Sequence, residues 1–157
     1  MTDSRFEIGV VSDTHGLLRP EALAALRGVS LILHAGDVGS GAVLEGLRAI
    51  APVVAVRGNN DAGPWAKSLA ASEVVEIGRA LVYVIHDLGE LDLEPRAAGF
   101  HAVVSGHSHR PKLETRDGVC YLNPGSIGPR RFRLPVALAR LTVSGTAIDA
   151  RLLELDV

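Results

Sequence analysis

The stretch "FEIGVVSDTHGLLRPEALAALRGVSLILHAGD", residues 6–37, decides the fold class. Apolar residues run together in "FEIGVV" and again in "SLILHA", and each run is typical of a buried strand. Between them, "PEALAAL" has helical spacing and begins with Pro20, which suits the first turn of a helix. Strand, helix and strand in this order predict a βαβ unit.

The segment that follows repeats this order. "GAVLEGLRAI", residues 41–50, places Val43, Leu44 and Leu47 on one face at helical spacing. Pro52 ends this helix before the strand-like run "VVAVRG". The first third of the chain therefore predicts a βαβαβ arrangement with parallel strands.

The pattern changes after residue 73, where two strand-like runs, "VVEIG" and "ALVYVIH", predict an antiparallel hairpin. A short helix is expected over residues 90–98, before the strand "HAVVSG". Beyond Pro111 we expect only strands, with turns at Asp117-Gly118 and Ser144-Gly145. Parallel units followed by antiparallel strands predict an α/β fold of two stacked mixed β-sheets flanked by helices.

Length and composition restrict the class of protein further. The 157 residues predict one domain spanning 1–157, with 47% hydrophobic and 22% charged residues. No apolar run approaches the roughly 18 residues of a membrane span, and a net charge of -2 argues against a nucleic-acid partner. The N-terminal residues lack a secretory pattern and Cys120 is the only cysteine, so we expect a cytoplasmic protein. A homodimer is left open.

Polar side chains follow five of the predicted strands. Ligands of α/β proteins bind at the carboxyl ends of strands, so these side chains are candidate ligands. They are Asp13, His15, Asp37, Asn59, His86, His107 and His109. Carboxylate, amide and imidazole together form the usual ligand set for divalent first-row metals. The sequence therefore predicts a metal site where these strands end.

Each of these residues, taken alone, also has an ordinary structural explanation. Asp13 and Asp37 could cap the helices that follow them, and residues 59–61 could form a turn. The i, i+2 spacing of Asp13 and His15 puts both on one side of an extended segment, as it does for residues 107 and 109. Seven ligands exceed what one catalytic ion takes from protein, so two ions are expected.

The order D-x-H, GD, GN, H and GHSH, with "NPGS" at 123–126, resembles that of the calcineurin-like metallophosphoesterases, specifically a short prokaryotic phosphodiesterase subfamily. The resemblance implies a four-layer αββα sandwich and hydrolysis of a phosphate ester by hydroxide held on two ions. It assigns Asp13, His15 and His109 to the first ion, and Asn59, His86 and His107 to the second. Asp37 would bridge them, and Asp37 and Asn59 would also be catalytic. Mixed nitrogen and oxygen ligands suit manganese, iron, zinc or nickel, and manganese is favoured.

The chain departs from the family pattern at two places. Asn60 stands where many members have a histidine that helps the leaving group, and His86 is followed by Asp87 rather than by glycine and a second histidine. No general acid is therefore assigned, although Asp61 lies near in sequence. The expected substrate is a small phosphate ester, with activated aryl phosphodiesters preferred.

Asn60, Arg130 and Arg131 are the candidate substrate contacts, because the two arginines follow "NPGS" closely. A solvated loop explains the arginines equally well. Two other functions remain open. A retromer subunit with this fold acts by binding proteins, and a metal-binding protein could hold ions that are only structural. The complete ligand set favours catalysis over both.

Overall fold

The computed structural model describes residues 4–157, so the first three residues of the N-terminal segment lie outside it. In chain order the strands are β1 (Arg5–Val11), β2 (Leu31–His34), β3 (Val53–Ala55), β4 (Ser72–Ile77), β5 (Ala80–Ile85), β6 (Ala102–Val104), β7 (Lys112–Arg116), β8 (Val119–Asn123), β9 (Ala137–Ser144) and β10 (Ala147–Glu154). The α-helices are α1 (Pro20–Ala25) and α2 (Gly41–Arg48). Short 3₁₀ helices span Pro64–Ser68 and Leu88–Glu90.

The first sheet has the strand order β10-β9-β1-β2-β3. Strands β1, β2 and β3 are parallel, and β9 and β10 add antiparallel strands at the other edge. The register pairs Val11 with His34 and His34 with Ala55. The three parallel strands therefore end side by side, and the loops that follow them share one edge of the sheet.

The second sheet has the strand order β4-β5-β6-β8-β7 and is also mixed. Strands β5, β6 and β8 are parallel, whereas β4 and β7 run antiparallel to their neighbours. The hairpin predicted for β4 and β5 and the turn at Asp117-Gly118 are confirmed. The last turn lies at residues 145–146, one residue later than predicted, because Ser144 still pairs with Ala147 at the end of β9. Two stacked mixed sheets are the predicted fold class.

Apolar side chains from both sheets form a shared core between them. Val10 and Leu33 of the first sheet and Val82 and Val104 of the second are fully buried there. Helices α1 and α2 cover the outer face of the first sheet, where residues such as Leu47 pack. Burying a side chain of this size contributes about 1.5–3 kcal/mol, so these faces hold the layers together.

The outer face of the second sheet is covered by turns, and the α-helix expected over 90–98 is wrong. Only the 3₁₀ turn Leu88–Glu90 forms there, followed by hydrogen-bonded turns to residue 100. Pro95 lies in the middle of this segment, lacks an N–H and disfavours helical backbone at the residue before it. Leu88 and Phe100 still pack onto the sheet beside Tyr83. The fourth layer is therefore present, but within the described residues it contains no α-helix.

Within residues 4–157, neither α1 nor α2 has the length and apolarity that crossing a membrane requires.

Candidate metal centre

The structure brings all seven predicted ligands together at the edge where the strands end. They divide into two groups, and in each group three ligand atoms lie within 4.8 Å of one another. One group is Asp13, His15 and His109, and the other is Asp37, His86 and His107. Asn59 lies against the second group through its side-chain oxygen.

The first group surrounds an unsatisfied carboxylate oxygen. Asp13 Oδ1 is buried and has no hydrogen-bond partner within residues 4–157. It lies 3.4 Å from His109 Nε2 and 3.7 Å from His15 Nε2. Its other oxygen, Oδ2, accepts from the Ser12 hydroxyl at 2.6 Å and from the His107 N–H at 3.1 Å. A buried, unpaired oxygen facing two imidazole nitrogens fits a cation, because a lone charge there is otherwise costly.

In the second group, nitrogen and oxygen acceptor atoms converge on one point. His86 Nδ1 donates to the carbonyl of Ala35 at 2.7 Å, which leaves Nε2 without a proton in the neutral ring. That Nε2 lies 2.9 Å from Asn59 Oδ1 and 3.3 Å from Asp37 Oδ2. His107 Nδ1 lies 3.2 Å from the same Asn59 oxygen. Acceptors that converge in this way suit a divalent ion.

Asp37 joins the two groups. Its Oδ2 lies 3.3 Å from His86 Nε2 of the second group and 3.8 Å from His15 Nε2 of the first. The main-chain and side-chain N–H groups of Asn60 donate to the Asp37 carboxylate at 2.9 and 3.1 Å, which fixes its orientation. A carboxylate in this position can serve two ions at once.

Five of the candidate ligands have backbone in the left-handed region, which is uncommon for residues other than glycine. Their φ angles are 55° for Asp13, 45° for His15, 55° for Asp37, 74° for His107 and 61° for His109. The extended conformation assumed for the i, i+2 pairs is therefore wrong, although Asp13 and His15 do share a group. Strained backbone of this kind concentrates at functional sites, where the surrounding fold maintains it.

Two glycines admit the close approach of these loops. A β-carbon at Gly58 would lie 2.1 Å from Asp37 Oδ1, and one at Gly106 would lie 2.0 Å from Ser12 Oγ. Any larger residue would displace Asp37 or the hydroxyl that holds Asp13. Glycine is therefore required directly before these two candidate ligands, because a larger side chain would not fit.

Burial and nearby charges keep the first group ready to bind a cation. Burial would raise the pKa of Asp13, but the nearby His109 ring and the hydrogen bond from the Ser12 hydroxyl outweigh it, and the pKa is lowered. Burial also lowers the pKa of His15, in spite of the carboxylates of Asp13 and Asp37. An ionised aspartate and a neutral histidine are the protonation states that metal binding requires.

Three polar residues that hold the loops were not assigned these positions from the sequence. Asp61 accepts from the backbone N–H groups of residues 38, 39 and 58 at 2.9–3.2 Å, so its carboxylate is fully engaged. Asn123 donates to the carbonyl of Gly106 at 2.9 Å, and the Ser126 hydroxyl donates to the carbonyl of Asp13 at 2.8 Å. The "NPGS" motif was the only sequence signal for the last two.

His34 is buried behind the site and connects two ligand-bearing loops. Its Nδ1 accepts from the Gly36 N–H at 3.1 Å, so the neutral ring carries its proton on Nε2 and donates to Thr14 Oγ1 at 3.0 Å. The Thr14 hydroxyl in turn donates to the carbonyl of Val38 at 2.7 Å. His34 therefore supports the loops that carry candidate ligands. His101 accepts from the Leu81 N–H just before β6, beside the second sheet.

The neutral state of His34 predicts acid sensitivity of the metal-free protein. Burial lowers the pKa of His34 from 6.5 to about 4. Because the unfolded chain takes up this proton first, stability is complete above pH 6.5 and is lost as pH falls toward 4, at up to roughly 1.4 kcal/mol per pH unit. Urea unfolding between pH 7 and 4 should show a shallower pH dependence in His34→Gln. Equal slopes in the two proteins would contradict this role.

The three candidate substrate contacts differ in where they lie relative to the two ligand groups. Asn60 is exposed beside Asp37. Arg131 lies close enough to His15 for its positive charge to lower the pKa of His15, in addition to the effect of burial. Arg130 instead donates to the carbonyl of Val157 at 3.4 Å. Only Asn60 and Arg131 are thus associated with the ligand groups in the structure.

Comparison with known proteins agrees with this geometry. Residues 6–146 match the family model described as the calcineurin-like phosphoesterase superfamily domain. A probable metallophosphoesterase of Methanothermobacter thermautotrophicus is 35% identical, over 94% of this chain and 91% of that protein. A phosphodiesterase of Methanocaldococcus jannaschii is 28% identical, over 76% of this chain and 82% of that protein.

Among solved structures, Vacuolar Protein Sorting 29 from Cryptosporidium parvum aligns with a TM-score of 0.78 at 20% identity. The alignment covers 99% of this chain and 100% of that chain, so the two proteins share a fold. The family match spans most of the chain and contains every candidate ligand. The chain therefore belongs to the calcineurin-like phosphoesterase superfamily, and this membership supports phosphoesterase activity in general.

Proposed function

We propose that the protein is a phosphodiesterase that works with two divalent ions. The observation that carries this proposal is that Asp37 Oδ2 lies between the two ligand groups, 3.3 Å from His86 Nε2 and 3.8 Å from His15 Nε2. The first ion would be held by Asp13, His15 and His109, the second by Asn59, His86 and His107, and both by Asp37. Such a pair activates water and neutralises the charge of a phosphoryl group. Manganese is the ion we propose for assays.

Within residues 4–157, neither Asp61 nor Asn60 offers a proton to the leaving group. Asp61 is engaged by three backbone N–H groups. Asn60 does not titrate in the useful range, and it also donates to Asp37. The leaving oxygen would therefore depart without help from either residue. Arg131, close enough to His15 for its charge to lower the pKa of His15, is available to the negative charge of the ester.

This arrangement predicts a preference among substrates. Bis(p-nitrophenyl) phosphate, whose leaving group is stable as an anion, should be hydrolysed with a kcat/KM at least roughly a hundredfold above that of an alkyl monoester such as glycerol phosphate, since general acid catalysis contributes about 10²–10⁴-fold. Steady-state assays with added manganese measure both. Efficient, preferential hydrolysis of the alkyl monoester would contradict the proposal that no side chain protonates the leaving group.

A second candidate is a protein-binding scaffold, favoured by the close fold match to Vacuolar Protein Sorting 29. A scaffold does not need Asp13 Oδ1 buried without a partner, nor five ligands held in left-handed backbone. These costs support catalysis instead. Absence of turnover on every aryl ester in protein saturated with metal would favour the scaffold.

A further inference from the structure

We propose that a pocket beside His107 binds a planar aromatic substituent of the phosphodiester substrate, an inference that rests on the proposed function. This pocket, the outer pocket, has a volume of about 210 Å³. The residues that matter for the argument are Leu88, His107, Arg110, Arg116 and Tyr121. The pocket thus starts at a candidate ligand and leads away from the metal centre.

The strand register explains why these side chains share one face. Alternate residues of a strand point to the same side, so Lys112, Glu114 and Arg116 of β7 project together. Tyr121 of β8 pairs with Glu114 and projects to that side as well. This side is the outer face of the second sheet, where Tyr121 packs in the cluster under the turn that contains Leu88. The pocket lies between this turn and the strand edge.

Arg116 and Tyr121 provide a flat surface. The Arg116 guanidinium lies over the Tyr121 ring, 4.8 Å from its centroid, and Glu114 holds it through a short ion pair. Glu114 also pairs with Lys112 at 3.7 Å. Glu114 offsets one of these two positive charges, and the guanidinium stacked on the Tyr121 ring presents a planar π surface, which suits an aromatic ring.

The two ends of the pocket match the two parts of an aryl or nucleoside phosphodiester. At the far end, the Arg116 plane and the side chain of Leu88 offer stacking and apolar contact. At the near end, Arg110 has no ion pair within residues 4–157 and lies next in sequence to His109. Its charge is available to the phosphate, so the ester can lie at the metal centre while its ring occupies the outer pocket.

The test compares two ligands that share a phosphate and differ in the ring. Calorimetric titration of the manganese-loaded protein should show benzyl phosphate binding roughly tenfold more tightly than methyl phosphate, as expected for one stacked aromatic ring. The methyl phosphate arm reports on the metal centre alone. Failure of the proposed function would abolish methyl phosphate binding, whereas failure of this inference would make the two affinities equal.

Variants locate the effect. Tyr121→Ala and Arg116→Ala, the latter at a surface residue, should each bring the affinity ratio close to one and leave methyl phosphate binding unchanged. Tyr121→Phe should retain the ratio. Thr115→Ala, on the opposite face of β7, is the matched control and should also retain it. Because Arg116→Ala removes no buried group, it keeps the test valid if Tyr121→Ala folds poorly. A tenfold ratio that persists in Arg116→Ala would overturn the inference.

Discussion

Replacing Asp37 with Asn should lower the rate of hydrolysis of bis(p-nitrophenyl) phosphate by roughly a thousandfold or more. Removing one member of a set of residues that act as a unit typically lowers the rate by orders of magnitude. Asn keeps the size of the side chain but removes the charge that lies between His86 and His15. It would also place an amide group where Asn60 now donates two hydrogen bonds. Steady-state kinetics with saturating manganese measures the loss.

The matched control is Asp117→Asn. Asp117 has a φ of 51°, close to the 55° of Asp37, but lies in the exposed turn between β7 and β8. The same substitution in the same backbone conformation should leave turnover within about twofold, as surface changes usually do. An Asp37→Asn protein that remains folded and hydrolyses the diester at the normal rate would refute a bridging role.

His107 and His109 should each support a different ion, which gives the second large effect. His107 Nδ1 lies 3.3 Å from His86 Nε2 in the second group, whereas His109 Nε2 lies 3.2 Å from His15 Nε2 in the first. In metal analysis after gel filtration, His107→Ala and His109→Ala should each retain about one ion per protomer, since each removes a ligand from one site only. Turnover should fall by orders of magnitude in both.

The double variant distinguishes the possible assignments. If the histidines serve different ions, the protein with both replaced should retain almost no metal. If they served the same ion, the double variant would still hold about as much metal as either single variant, and the split assignment would be wrong. Arg110→Ala, at the exposed residue that follows His109, is the matched control and should leave the metal content unchanged.

The sequence predicted which residues meet, because strand periodicity fixes where each strand ends and parallel register aligns those ends. Val11, His34 and Ala55 lie in register, so the candidate ligands that follow them had to share an edge. The division of His107 and His109 between two groups came from the family resemblance. Their spacing alone would have put both on one ion.

Other features depend on tertiary contacts that periodicity does not encode. The left-handed backbone of Asp13 and Asp37 is maintained by loops distant in sequence, as when the Ser126 hydroxyl bonds the Asp13 carbonyl. From the sequence, Asp61 is a carboxylate close to the candidate ligand Asn59. The fold shows that backbone N–H groups surround it. Helical composition over 90–98 was overridden by Pro95.

The most direct test of the central claim is the number of ions that the protein binds. Purified protein stripped with chelator is titrated with manganese in a calorimeter, and bound metal is measured independently by elemental analysis after gel filtration. The two ligand groups predict about two ions per protomer, with hydrolysis of the aryl diester appearing as the second site fills. One ion or fewer at saturating manganese, or full turnover with a single ion bound, would contradict the two-ion account.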